Sequence, residues 1–170
     1  SLRAGLCLAG GNVADLAETK DDWKSLASQW FTESPDSGTH SAAAWALRQW
    51  DIELPTIAPD NEPPDNRHWQ LTKTGLTLLR IPNGQFELDD GNEKQPVTLT
   101  RSFWLADREV SVGLFQQFMN DEQYNSELKP KAWESVDTKI SPTDQHPAQT
   151  VSWEDAVLFC NWLSQREELK

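Results

Sequence analysis

The sequence contains few of the residue types from which most catalytic and metal sites are built. Its 170 residues include only two cysteines and three histidines. Cys7 and Cys160 are too few and too far apart to form a disulfide framework, and the chain has no C-x-x-C pair. Both lie in apolar, helix-like stretches, so we expect two buried thiols in the core. The cysteine content leaves the cellular compartment open.

Basic residues are also scarce. The chain has 15 Lys and Arg against 27 Asp and Glu, which gives a net charge of −12 at pH 7. Because phosphate binding needs a basic surface, this balance argues against a nucleic-acid partner. No apolar run approaches the roughly 20 residues that span a bilayer, so we expect no membrane contact by this segment. The N-terminus lacks signal-peptide features, and we expect it to begin inside a longer protein.

The three histidines do not have the spacing of metal ligands. A helical zinc site requires a second histidine four positions after the first, and the residue four positions after His40 is an alanine. His68 lies at the end of a proline-rich segment, next to Trp69, and His146 precedes Pro147, so all three histidines are expected to be structural or solvated. The acidic stretch at residues 87–93 lacks the calcium-loop pattern. We therefore predict no catalytic, cofactor-binding or metal-binding residue in this chain.

Nine tryptophans and six phenylalanines can supply a hydrophobic core, and their distribution divides the chain into three parts. Residues 1–52 show helical periodicity in short stretches, interrupted by Gly10-Gly11 and by a turn near residue 36, and predict a helical segment. Residues 53–68 contain four prolines and predict an extended linker at a domain boundary. Residues 69–170 form the predicted second domain.

Strand-like runs precede two helices in this second domain, which predicts an α+β fold. The runs cover residues 76–81, 85–88, 97–100 and 103–107, and Asn83-Gly84 predicts a hairpin turn between the first two. Ser111 is placed to cap one helix. Ser152 is placed to cap another, and Asp155 stands three residues further on, which is close to a capping-box pattern.

Four segments between Trp69 and Ser164 together carry a family pattern. They read GLTLLRIPNGQF at 75–86, PVTLTRSFWLADREVS at 96–111, LFQQF at 114–118 and HPAQTVSWEDAVLFCNWLS at 146–164. In this order they resemble the N-terminal part of the formylglycine-generating-enzyme family, also called sulfatase-modifying-factor domains. The resemblance implies an irregular α+β fold related to C-type lectins. Residues 35–50 resemble a helix upstream of such domains in bacterial multidomain proteins, some of which carry a serine/threonine kinase.

The resemblance also implies what this chain lacks. The family's catalytic cysteine pair and its copper and calcium sites lie in a C-terminal half that would follow Lys170, and neither Cys7 nor Cys160 corresponds to a catalytic cysteine. Copper or calcium is therefore expected only if that half is present. Without it, Phe159, Trp162 and Leu163 are expected to lack core partners. The partner expected for this segment is that C-terminal half or a second chain.

Two functions follow from the resemblance. The first is a non-catalytic sensor, a module that binds a protein or a small-molecule ligand on long loops. The second is part of an oxygen-dependent oxidoreductase that converts a sulfatase cysteine to formylglycine, with the catalytic half outside this chain. We favour the binding module, and the identity of its ligand stays open.

Overall fold

The computed structural model describes residues 1–12, 20–60, 62–89, 91, 93–130, 133 and 137–168. It confirms an α+β fold. In chain order the elements are α1 (Leu2–Gly11), α2 (Lys20–Glu33), α3 (Ser37–Gln49), β1 (Trp69–Leu71), β2 (Thr77–Ile81), β3 (Gly84–Asp89), β4 (Lys94–Leu99), β5 (Phe103–Ala106), α4 (Val112–Asn120), a short 3-10 helix (Ser126–Leu128) and α5 (Trp153–Arg166). The chain divides into two compact units. The first comprises Ser1–Leu71 and Thr77–Asp107, and the second comprises Thr72–Leu76 and Arg108–Lys170.

The three N-terminal helices of the first unit pack around an alanine-rich α3. Its small side chains let α1 and α2 approach closely, and the buried residues they share with it are Cys7, Ala27, Phe31, Ala42, Ala43, Ala44, Ala46 and Leu47. Ile52, Leu54 and Ile57 follow α3 and pack against the same core. The described residues of 53–68 form no helix or strand. That this segment marks a domain boundary stays a prediction.

His40 joins the helices to the first strand within this unit. Its buried ring lies between Phe31 and Trp69, with ring centroids 4.6 and 3.7 Å away. Its Nδ1 lies 2.6 Å from the carbonyl oxygen of Phe31, and the Trp69 indole donates to the carbonyl of Ser34 at 2.6 Å. His40 is therefore buried in the core of this unit, where it stacks between two aromatic rings.

The strands of the first unit form two separate antiparallel sheets. One has the order β1-β2-β5, and the other is the β3-β4 ribbon. The predicted hairpin turn at Asn83-Gly84 is wrong, because β2 and β3 belong to different sheets. The two-residue hairpin turn typical of Asn-Gly requires positive φ at both residues, and neither has it. Gly75 and Gly91, which lie between paired strands, do have positive φ.

An aromatic cluster forms the core of the second unit. Phe115 and Phe118 of α4 contact Phe159 of α5, with ring centroids 5.6 and 5.8 Å apart, and Phe118 also contacts Trp162. The expectation that Phe159 and Trp162 would lack core partners is therefore wrong, since α4 supplies them. The predicted caps are confirmed: Ser111 caps α4, and Ser152 caps α5 in a capping box with Asp155.

The two cysteines differ in their surroundings. Cys7 is buried among the helices of the first unit, and this burial raises the pKa of its thiol. Cys160 is exposed, so its predicted place in the core is wrong. Phe159 and Trp162 define the buried side of α5, and a residue between them in sequence faces elsewhere because successive residues are rotated by about 100°.

Candidate binding cleft

A cleft of about 530 Å³ opens on the surface of the second unit. Three segments form it: the turn between β1 and β2, the chain leading into and along α4, and a loop that precedes His146. The residues that line it are Thr74, Gly75, Leu76, Arg108, Glu109, Ser111, Gly113, Leu114, Gln116, Gln117, Asn120, Asp144 and Gln145. Because they come from distant parts of the sequence, only the folded unit brings them together.

The turn that supplies one wall is fixed by its own hydrogen bonds. The amide of Thr72 donates to the carbonyl of Leu76 at 2.9 Å, and the Leu76 amide donates to the Thr72 hydroxyl at 2.9 Å. Gly75 has φ of +84°, a backbone conformation that most other residues adopt only with strain. The turn therefore presents a defined surface to the cleft.

A buried carboxylate from the end of α5 holds the same turn. Glu167 is 1% exposed and accepts hydrogen bonds from the backbone amides of Lys73 at 2.8 Å and Thr74 at 2.9 Å. The neighbouring Glu168 forms an exposed ion pair with the Lys73 ammonium at 2.8 Å. Nothing in the sequence pattern predicted that Glu167 is buried, because an acidic residue in a polar C-terminal stretch is usually expected to face solvent.

Another part of the cleft lining depends on a close approach between α4 and the loop at residues 144–146. The amides of Val112 and Gly113 donate to the carbonyls of His146 and Asp144, at 2.8 and 2.9 Å. A Cβ atom at position 113 would lie 3.1 Å from Cβ of Asp144, which is tighter than usual van der Waals contact. Glycine at this position thus allows the loop to lie against the helix.

Amide side chains dominate the chemistry of the cleft. Gln116, Gln117 and Asn120 lie on the exposed side of α4, and Gln145 extends from the loop. Each amide can both donate and accept hydrogen bonds. Leu76 and Leu114 also line the cleft and are buried. The charged residues that line the cleft are Arg108, Glu109 and Asp144.

Neither cysteine nor histidine is among the lining residues. His146 lies beside the cleft, where its Nδ1 is 2.8 Å from the hydroxyl of Thr143. His68 is exposed in the first unit. Within the described ranges, no group of three or more histidine, cysteine or acidic side chains is arranged to hold a metal ion. The amide and charged side chains that line the cleft can exchange hydrogen bonds with a polar ligand.

Sequence reasoning predicted no site residue and missed this cleft. The signal available was the polar side of LFQQF and the glycine at position 113, at the start of a helix. Glycine there is unfavourable for the helix and indicates that another part of the chain approaches closely. The partner loop could not be inferred, because no motif links it to α4.

Comparison with known proteins adds one finding. A family model described as the sulfatase-modifying factor enzyme 1-like domain matches residues 66–168, which is more than half of the chain. No curated protein and no solved structure matches the chain. Among the described residues, no helix has the length and apolar character needed to cross a membrane. The match covers every residue that lines the cleft.

Proposed function

The chain belongs to the family of sulfatase-modifying factor enzyme 1-like domains, and within that family we propose that it is a non-catalytic module that binds an extended polypeptide. The observation that carries this proposal is the cleft lined by four amide side chains, Gln116, Gln117, Asn120 and Gln145. An extended peptide presents alternating N–H and C=O groups, and amide side chains can satisfy both.

The spacing of the amides on α4 supports a peptide ligand. Gln116 and Asn120 are four residues apart, which separates them by about 6 Å along the helix axis. Two residues of an extended chain span about 6.6 Å. A peptide lying along α4 can therefore place equivalent backbone groups opposite both side chains.

Charge favours a neutral or basic peptide. The lining residues include Glu109 and Asp144 against Arg108, and the whole chain carries −12. An acidic peptide or a nucleic acid would be repelled at long range. We therefore expect bound sequences to contain lysine or arginine more often than aspartate or glutamate.

Selection from random displayed peptides, followed by fluorescence anisotropy, tests the proposal. We expect selected peptides to bind at micromolar concentration and the Gln116→Ala, Asn120→Ala double variant to weaken binding at least tenfold. Gln85→Ala is the matched control, since Gln85 is an exposed amide on β3 outside the cleft. Equal binding by the double variant and the control would refute the cleft as the peptide site.

The alternative function is part of a formylglycine-generating oxidoreductase, and it draws on family membership alone. The raised pKa of Cys7 disfavours the thiolate that a reactive cysteine needs. Within the described part of the chain, no cluster of histidine, cysteine or acidic side chains fits copper or calcium. Incubation with copper, oxygen and a sulfatase-type cysteine peptide tests this alternative by mass spectrometry. We expect no formylglycine, and its formation would replace the binding proposal.

We also propose a place for this module in a larger protein. Residues 1–52 would form a helical lead-in, residues 53–68 a linker and residues 69–170 the N-terminal part of the family domain. The likeness of residues 35–50 to helices in kinase-linked bacterial proteins supports a sensor role beside a serine/threonine kinase. Sequencing the gene beyond both ends tests this: a kinase upstream supports the sensor role, and its absence removes the basis for that role.

A further inference from the structure

Strand β5 forms one edge of the three-stranded sheet. β2 lies between β1 and β5, and the alternation of its hydrogen bonds shows which backbone groups of β5 face outward. The amide of Arg80 donates to His68 on the β1 side, whereas the amide of Asp107 donates to Thr77 of β2 on the β5 side. Residues 103, 105 and 107 therefore direct their backbone groups to β2.

The backbone groups of Ser102, Trp104 and Ala106 consequently point away from the sheet. Among the named strands of the described chain, β5 pairs with β2 only. Its side chains are also exposed: Phe103 is 40%, Trp104 38% and Leu105 54% accessible. An edge strand with free hydrogen-bonding groups and exposed apolar side chains is a template for another strand.

The sequence of this edge is complementary to itself. Residues 101–107 read RSFWLAD. When two copies run antiparallel with Trp104 opposite Trp104, Phe103 faces Leu105 and the basic Arg101 faces the acidic Asp107. Opposite charges and aromatic pairs across strands both stabilise antiparallel pairing.

The outward backbone groups agree with this register. Trp104 pairs with its own copy and Ser102 pairs with Ala106, so each outward-facing residue meets another outward-facing residue. A register shifted by two residues in either direction would also pair outward-facing residues with each other. One of these registers places Arg101 opposite Leu105, and the other places Asp107 opposite Phe103, so each loses the charge pairing.

We propose that two copies of this chain associate through their β5 edges, in antiparallel register centred on Trp104, and join two three-stranded sheets into one. The pairing is isologous, as a two-fold symmetric dimer requires. None of the seven residues at this edge lines the cleft, so the proposal is independent of peptide binding.

Cysteine cross-linking tests the register, in a Cys160→Ser background that removes the exposed native thiol. At a hydrogen-bonded antiparallel pair the Cα atoms lie about 5.5 Å apart, which is within the range of a disulfide. We expect Trp104→Cys to form covalent dimers under mild oxidation. Ser102→Cys alone should not, because its two copies would be about 13 Å apart. Equal cross-linking at both positions, or none at 104, would overturn the proposed register.

Charge exchange tests the interface without cysteines. Sedimentation equilibrium should show a mass that rises with concentration from 19.3 kDa to twice that value. We expect Arg101→Asp or Asp107→Arg to weaken association about tenfold or more, because each places like charges in contact twice. The combined variant should restore it, since its pairs are again opposite.

Lys24→Asp, on the exposed surface of α2, is the control for the change in net charge. It should leave association unchanged, and circular dichroism should show that each variant is folded. A chain that stays monomeric at every concentration would overturn the proposal. A combined variant no better than the single variants would do the same.

Discussion

Glu167 is a buried residue that holds the turn lining one part of the cleft. Its two carboxylate oxygens each accept one backbone amide, from Lys73 and from Thr74. Glu167→Gln keeps the size of the side chain but turns one acceptor into a donor, which faces an N–H group. We expect the free energy of unfolding to fall by about 1–3 kcal/mol, measured by urea denaturation.

Glu168 provides the comparison for that substitution. It is an adjacent glutamate whose side chain is 79% exposed and forms an ion pair with the Lys73 ammonium. Because solvent screens an exposed pair, Glu168→Gln should leave stability unchanged within error. Equal losses from both variants would mean that burial of Glu167 is not what matters.

The sequence around a rare residue type indicates whether it can form a site, but it does not determine which way the side chain points. His40 was expected to be structural or solvated, because it has no second histidine at helical spacing, and its ring is buried between Phe31 and Trp69. Cys160 was wrongly placed in the core, because Phe159 beside it is apolar and buried. The direction of one side chain on a helix with several apolar residues depends on what packs against it, and Phe115 and Phe118 decide that here.

At the scale of elements, two glycines of α1 have opposite roles. Gly11 ends the helix, and a Cβ atom there would overlap the ring of Trp45 in α3. We expect Gly11→Ala to lower the free energy of unfolding by about 1–3 kcal/mol, because overpacking forces the two helices apart. Thermal denaturation followed by circular dichroism measures the loss.

Gly5 is the matched position in the same helix. A Cβ atom there would have no neighbour within 4 Å. Gly5→Ala should therefore raise stability by about 0.5–1 kcal/mol, since alanine favours the helix. If Gly11→Ala also stabilised the protein, helix propensity would outweigh packing and the close approach of α1 to Trp45 would be wrong.

Local signals predicted helix starts better than strand pairing. The caps predicted at Ser111 and Ser152 are confirmed, because a cap needs only the residues that follow it within one turn. The hairpin turn predicted at Asn83-Gly84 is wrong because β2 pairs with β1 and β5, which lie outside the few residues around the turn. Strand pairing depends on partners that a local pattern does not contain.

At the scale of the whole molecule, family likeness was easier to predict than the site. Four segments in order identified the family, and its match to residues 66–168 confirms it. The cleft has no such signature, because three separate segments build it and its amide side chains are common on protein surfaces. The contact that brings the loop to α4, between the Gly113 amide and the Asp144 carbonyl, has no motif in the sequence.

Acid should destabilise the whole molecule, because carboxylates in both units are stabilised in their charged form. The hydroxyl of Thr39 holds the pKa of Asp36 below its ordinary value. The Trp162 indole, which donates to Asp121 at 2.8 Å, lowers the pKa of that carboxyl, with smaller contributions from the Gln123 amide and from Arg166. A carboxyl whose pKa is lower in the folded chain binds protons better when unfolded. Its contribution is therefore present above the unfolded value of 3.8 and is lost as pH falls through the folded value.

Asp121→Asn separates this effect from general acid sensitivity. The amide can accept from Trp162 or from the Gln123 backbone but not from both, since the carboxylate uses one oxygen for each. At pH 7 the variant should be less stable by about 1–3 kcal/mol. Urea denaturation between pH 7 and pH 3 should show that difference shrinking below pH 3.8, where the unfolded chain of the native protein gains its proton first. A difference that stays constant across this range would mean that the charge on Asp121 contributes nothing and that only the shape of the side chain matters.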